Sequence, residues 1–125
     1  HDLSHSGKDP EKLRQLHIIE SALMAEFDRF LEKLSTMKDI GGSSLLDNTT
    51  VVFGSGMGNA SAHANTNLPV ILAGGGFKHG HHLIFPKNGR QQTPLCDLYV
   101  TLLQQMGVER DKFGSNKGNL NQLLV

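Results

Sequence analysis

The run Thr49-Thr50-Val51-Val52-Phe53, separated by a glycine-rich stretch from Leu68-Pro69-Val70-Ile71-Leu72-Ala73, decides the reading of the fold. Both runs are rich in β-branched and aliphatic residues and neither alternates apolar with polar positions. That is the pattern of strands covered on both faces, as in an open α/β sheet. Pro69 stands at the start of the second run, where a missing amide does least harm to a ladder. Residues 54–67, between the runs, hold only Met57 and three alanines as apolar content. A loop of that length beyond the carboxyl end of a strand is where open α/β sheets bind ligands. Gly54-Ser55-Gly56-Met57-Gly58-Asn59 lacks the Lys and Ser/Thr of a phosphate-cradling loop and leads into no helical pattern, which excludes a P-loop nucleotide site.

Upstream, Asp9-Pro10 is a helix start: Asp caps free amides, and Pro at the first helical position has a preset φ and no amide to satisfy. Leu13, Leu16, Ile19, Leu23, Phe27, Phe30, Leu34 and Met37 then recur at steps of three and four, one apolar stripe on a long helix. A helix from residue 10 to about 38 is roughly 43 Å long, against about 36 Å for the diameter of a compact globule of this chain length. The helix therefore outgrows the chain around it, and a larger parent structure is expected. Gly41-Gly42-Ser43-Ser44 closes this unit. Downstream of Gly74-Gly75-Gly76, residues 77–85 read as a β-hairpin turning near His79-Gly80. Thr93-Pro94 repeats the helix-start signal, with Leu95, Leu98, Tyr99, Leu102, Leu103 and Met106 as the stripe and Gly107 as the stop. The Leu-rich end is expected to dock back, and residues 1–125 show no repeat and no boundary, so they read as one domain.

Composition narrows the function classes. With 12 basic and 12 acidic residues the chain has no net charge, so no nucleic-acid partner is expected. No segment is long and apolar enough to span a membrane. The start, His1-Asp2-Leu3-Ser4-His5, lacks the regions of a signal peptide and reads as the interior of a longer chain, so an N-terminal part of the same protein is an expected partner. A single cysteine, Cys96, excludes an internal disulfide framework, and in the first turn of a helix with no nearby partner it reads as a packing residue. The 14 glycines and 7 histidines cluster in the loop-like stretches, where any chemistry would sit. His79, His81 and His82 read as exposed turn residues, because successive hairpin residues face opposite sides. His17, inside the long helix, reads as a partly buried, hydrogen-bonded residue.

The stretch from Leu45 to Asn59, then His63 and Asn67 to Gly76, resembles the bacterial family designated domain of unknown function fifteen fifty-two, over nearly the whole chain. More distantly it is similar to the metal-binding region of the alkaline phosphatase and sulfatase superfamily. The resemblance implies the C-terminal part of an alkaline-phosphatase-like three-layer α/β fold, with a mainly parallel sheet, a long amphipathic helix and a β-hairpin. It also implies a periplasmic or extracellular location. Superfamily members read strand, then Asp-His-Gly, then a loop histidine six residues before a proline. His63 keeps that spacing from Pro69, whereas Gly56 and Met57 fall where the Asp-His pair would be, and neither suits a hard or borderline cation. One of two metal sites is therefore expected to be lost. Ahead of the long helix the superfamily places Asp and His four residues apart, and His1 and His5, followed by Ser6-Gly7, match with His for Asp.

The resemblance thus implies a three-histidine cluster of His1, His5 and His63, holding one divalent metal, zinc by preference. Three neutral imidazoles with an open fourth position form a catalytic zinc arrangement that lowers the pKa of bound water to about 7. The alternative is a terminal His1, a His5 that precedes the helix and a His63 hydrogen-bonded within its loop. Asp2 and Asp47 are candidate carboxylates orienting the histidines, with Asp47 equally suited to an ordinary turn. No serine can be assigned as nucleophile. Two readings follow: a metal-dependent hydrolase of small phosphate or sulfate esters with one degenerate metal site, or a non-catalytic binding or structural protein on the same scaffold. The long helix and the strands need covering, either by more of the same protein or in a homo-oligomer.

Overall fold

A computed structural model describes residues 1–85 and 92–125, which form two compact units, His1–Gly75 and Gly76–Val125. The first contains α1 (Pro10–Thr36), β1 (Thr50–Gly54) and β2 (Val70–Gly74); the second contains α2 (Leu95–Gln105) and a short 3-10 turn, Asn121–Leu123.

In the first unit the helix starts as its sequence predicts. Asp9 Oδ1 accepts hydrogen bonds from the amides of Glu11, at 2.9 Å, and Lys12, at 3.1 Å, and Pro10 opens the helix. The stop is built by the chain that follows. Met37 turns extended, a reversal with Gly42 at φ 85° brings the backbone round, and the Leu45 and Leu46 amides donate to the carbonyls of Met37 and Leu34. Those bonds satisfy carbonyls that a helix end leaves free.

β1 and β2 pair antiparallel, Thr50 opposite Gly74 and Phe53 opposite Ile71. This corrects the expected mainly parallel sheet: among the described residues the only sheet is this two-stranded antiparallel one, so the α/β class stands without the three-layer alkaline-phosphatase-like arrangement. The physical reason lies in the connection. Parallel neighbours need a crossover, usually helical, whereas residues 55–69 are mostly Gly, Asn, Ser and Ala without a helical pattern and fold back on themselves, with Asn59 bridging Ala64. Register places Val51, Phe53, Ile71 and Ala73 on one face and Val52, Val70 and Leu72 on the other. Phe53 stacks on Phe27 of α1, ring centroids 4.6 Å apart, which seats the helix on the first face. Val52 stays 41 % exposed on the other, so the strands are not covered on both sides. An unbroken apolar run fits a half-covered hairpin as well as a central strand, and the covering layer is what the run alone does not reveal.

The strand ends are fixed by close approach. A Cβ on Gly75 would lie 1.5 Å from the Asp47 carbonyl oxygen, and one on Gly74 1.7 Å from that of Thr49. Only glycine lets β2 finish against the 47–49 turn.

The second unit has a closed core of Phe77, Leu98, Val100 and Leu120. α2 begins at Leu95 with Pro94 at its cap and no side-chain cap bond, so Thr93 does not play the capping part that the sequence suggests. Gly107, at φ 81°, ends it as expected. The tail docks back through buried polar groups: the Leu120 amide donates to Thr101 Oγ1 at 2.6 Å, and the Lys117 and Gly118 amides donate to Asp97 Oδ1 at 2.7 and 3.2 Å. The hairpin expected over residues 77–85 is not formed. Phe77 bridges Leu124 and the Lys78 amide donates to the Leu123 carbonyl, so the would-be first arm pairs with the C-terminal tail and leaves residues 79–85 exposed and irregular.

Candidate functional site

The site belongs to the first unit and is assembled from two loops. The N-terminal residues form one helical turn, closed by the His5 amide donating to the His1 carbonyl at 3.1 Å. Lys12 of α1 holds this turn through an ion pair with Asp2 at 2.9 Å. The hydrogen bond from Lys12, and then its charge, keep the Asp2 carboxyl below the ordinary aspartate value, and the same bond raises Lys12. Gly7 and Lys8, at φ 59° and 75°, then reverse the chain into the Asp9 cap.

The second loop is a tight reversal. The Gly58 amide donates to the Ala64 carbonyl at 2.9 Å, the Ala64 amide to the Asn59 carbonyl at 3.0 Å, and the Ala62 amide to Asn59 Oδ1 at 3.1 Å. A Cβ on Gly58 would fall 2.1 Å from the Thr66 carbonyl oxygen, so glycine is required where the loop closes. His63 sits in this reversal at φ 49°. A left-handed histidine is uncommon and tends to mark a turn under constraint.

These two loops meet. His5 Nε2 lies 2.9 Å from His63 Nε2, and Ser61 Oγ reaches the Ser4 carbonyl at 3.4 Å. The His1 ring stacks on His5, centroids 4.2 Å apart and planes 9° from parallel, while His63 is tilted by 50° to His5. The three histidines singled out by the resemblance are thus neighbours across the length of the unit. His1 and His63 are exposed and His5 is half-buried.

His5 Nδ1 has two oxygen neighbours, Ser4 Oγ and the His1 carbonyl. Nδ1 lies 3.2 Å from the His1 carbonyl oxygen, an acceptor that favours a proton on Nδ1. Ser4 Oγ donates to that same carbonyl at 2.9 Å and lies 3.1 Å from His5 Nδ1. Between neutral rings one Nε2 donates and the other accepts across the 2.9 Å contact of His5 with His63.

The donor chemistry suits a borderline cation. Two imidazole nitrogens bound tetrahedrally to one zinc at about 2.05 Å stand roughly 3.3 Å apart, slightly more than the 2.9 Å seen here. His1 is adjacent, but its plane is nearly parallel to that of His5, so in-plane lone pairs of the two rings do not converge without rotation of His1. Among the described residues no group of three or more His, Cys, Asp or Glu side chains is arranged to hold a metal as it stands.

Other candidates lie elsewhere. Asp2 faces Lys12, not an imidazole. Asp47 is a turn residue: it accepts from the Ser44 amide at 3.1 Å, and hydrogen bonds from Ser44, side chain before backbone, hold its carboxyl below the ordinary value. His17 is exposed, not partly buried, and His79, His81 and His82 are exposed as expected. Cys96 is half-buried beside Ser115, at 3.8 Å, in the second unit. Gly56 and Met57 are exposed loop residues, and Met57 is clasped by Ser55, whose Oγ donates to its carbonyl. Sequence reasoning missed Ser4, Asn59 and Lys12, which position the histidines. The Asn59-to-Ala62 Asx pattern was the legible signal among them.

No protein-family model matches the chain, and neither a curated protein nor a solved structure is similar to it.

Proposed function

We propose that this chain carries one metal site of a metal-dependent hydrolase acting on phosphate or sulfate esters, with His1, His5 and His63 as ligands and zinc as the metal. The observation that carries the reading is the 2.9 Å approach of His5 Nε2 to His63 Nε2. It is supported by the 3.2 Å contact of His5 Nδ1 with the His1 carbonyl oxygen, the kind of contact that orients metal-bound imidazoles. Bound there, the ion would supply Lewis acidity toward an ester oxygen and a water acidified toward neutrality. The chain itself contributes orientation: Ser4 and the His1 carbonyl turn His5, the Asn59 reversal presents His63, and Lys12 with Asp2 holds the first loop against α1. His1 completes the set by rotating out of its stack.

A second reading, a binding or structural protein without catalysis, is favoured by Gly56 and Met57 standing where the superfamily resemblance puts an Asp-His pair. The periplasmic or extracellular location remains part of the same proposal, and so do the covering partners, more of the same protein or a second copy.

Zinc titration by calorimetry, followed by assay of the loaded chain on aryl phosphate and aryl sulfate esters, tests the choice. One zinc per chain, abolished by His63→Ala, together with ester hydrolysis supports the first reading. Stoichiometric zinc without turnover selects the second, and no zinc in either chain removes the metal site.

A further inference from the structure

We propose that the open edge of β1 pairs antiparallel with β1 of a second copy of this chain, across a twofold axis at Val52, into one four-stranded sheet. In an antiparallel pair, positions that exchange hydrogen bonds alternate with positions whose amides and carbonyls point away from the partner strand. Two bonds just beyond the strands fix the phase of that alternation: the Gly75 amide donates to the Thr49 carbonyl at 3.3 Å and the Ser55 amide to the Pro69 carbonyl at 3.2 Å. In the register that sets Thr50 opposite Gly74 and Gly54 opposite Val70, Val51 with Ala73 and Phe53 with Ile71 therefore bond inward. The backbone groups of Val52 and Gly54 on β1, and of Val70 and Leu72 on β2, point outward. Among the described residues no backbone or side-chain group bonds to any of these four.

The β1 edge is the accessible one: Val52 is 41 % exposed and Gly54 is exposed, whereas Val70 and Leu72 are half-buried. Thr50–Gly54 contains no charged residue and no proline, the devices that keep an edge from pairing. A two-stranded sheet is marginal alone, and further strands are what make one independently stable. β1 is itself a fitting partner because its outward groups are self-complementary. A twofold axis perpendicular to the sheet sets the Val52 amide of each copy against the Val52 carbonyl of the other and brings no charge against its like along the shared edge. The two Val52 side chains become a cross-strand pair on the open face. Both copies of α1 then lie on the other face, two helices about 10 Å across over four strands about 4.8 Å apart, so neither layer outgrows the other. Of the covering partners named above, this selects the second copy, and it stands whether or not the histidines hold zinc.

A five-residue edge is a small interface, so association is expected between micromolar and millimolar chain. Sedimentation equilibrium of the full chain over that range, with amide exchange read residue by residue by NMR, tests it. A monomer–dimer equilibrium is expected, with the Val52 amide slowed by at least about 10-fold at the concentrated end while the Leu72 amide stays fast. Val52→Pro removes only an outward donor, so the helix signal in circular dichroism should be kept and the dimer lost. Val52→Lys keeps the amide but sets like charges side by side across the axis, and should weaken association by about 10-fold or more even where proline disturbs the strand. Leu72→Pro, the same change on the other edge, should leave the dimer intact. A chain that stays monomeric throughout, a dimer in which the Val52 amide still exchanges fast, or one that both Val52 variants keep, overturns the proposal. A dimer lost in Leu72→Pro and kept in Val52→Pro overturns it in favour of the β2 edge.

Discussion

The two units solve the same problem of a small chain in opposite ways. The Gly76–Val125 unit buries four apolar side chains and sends backbone amides of its tail to Asp97 and Thr101, so its stability is concentrated in a closed core. The His1–Gly75 unit has no buried apolar side chain among the described residues. Its long helix leaves Ile19 at 54 % and Leu23 at 53 % exposed, and it is held by caps, reversals and glycine contacts. The histidines are found in the loosely covered unit. Groups that must reach a ligand need solvent access and backbone freedom, and both are scarce in a packed core.

The contrast can be broken most strongly at Leu98. Leu98→Ala should destabilise the second unit by about 2–4 kcal/mol in urea titration, while Leu23→Ala on the open helix face should change stability by less than about 0.5 kcal/mol. Thr101→Val keeps the shape but leaves the buried Leu120 amide without its acceptor, and should cost about 1–3 kcal/mol by the same measurement. Asp9→Ala, removing the α1 cap, should cost about 1 kcal/mol, seen as lost helix signal in circular dichroism. The open face should bind a hydrophobic dye, and Leu23→Gln with Phe30→Gln should reduce that binding without reducing stability.

The smallest effect concerns the loop that carries His1 and His5. Asp2 is depressed by Lys12, so its contribution is present above the ordinary aspartate value and is lost as pH falls through the lowered one. Lys12 is raised, so its contribution is lost only as pH climbs through the raised value at the alkaline end. Proton NMR of the His5 ring should therefore show the turn loosening in acid. Asp2→Asn should show that loosening already at neutral pH and lose the acid dependence, and so should wild type in high salt, since both partners are exposed.

Local signals were legible and non-local ones were not. Asp9-Pro10 announced α1 because a cap is settled by residues a few positions apart. The strand positions were legible from β-branched composition, but their direction was not, since it depends on the path of residues 55–69. The hairpin over 77–85 failed for the same reason: Phe77 takes its partner from Leu124 at the far end of the chain, and no neighbouring residue signals that. The meeting of His5 with His63 was expected only through family resemblance, because periodicity says nothing about loops that cross. Ser4 was invisible, as a serine beside a histidine carries no pattern until the carbonyl of His1 is placed beside both.

His63 is held at φ 49°, a backbone angle that glycine adopts more readily. A left-handed L-residue costs about 1–2 kcal/mol, which glycine avoids while losing about 0.5–1 kcal/mol through its freer unfolded state. His63→Gly should therefore relieve the backbone of the 58–64 reversal, whereas a β-branched residue would strain it. Glycine would also remove the imidazole whose Nε2 meets His5 Nε2 at 2.9 Å, so the backbone relief and the lost contact between the two loops oppose each other. The imidazole at that position thus bridges two loops that are 58 residues apart in the chain.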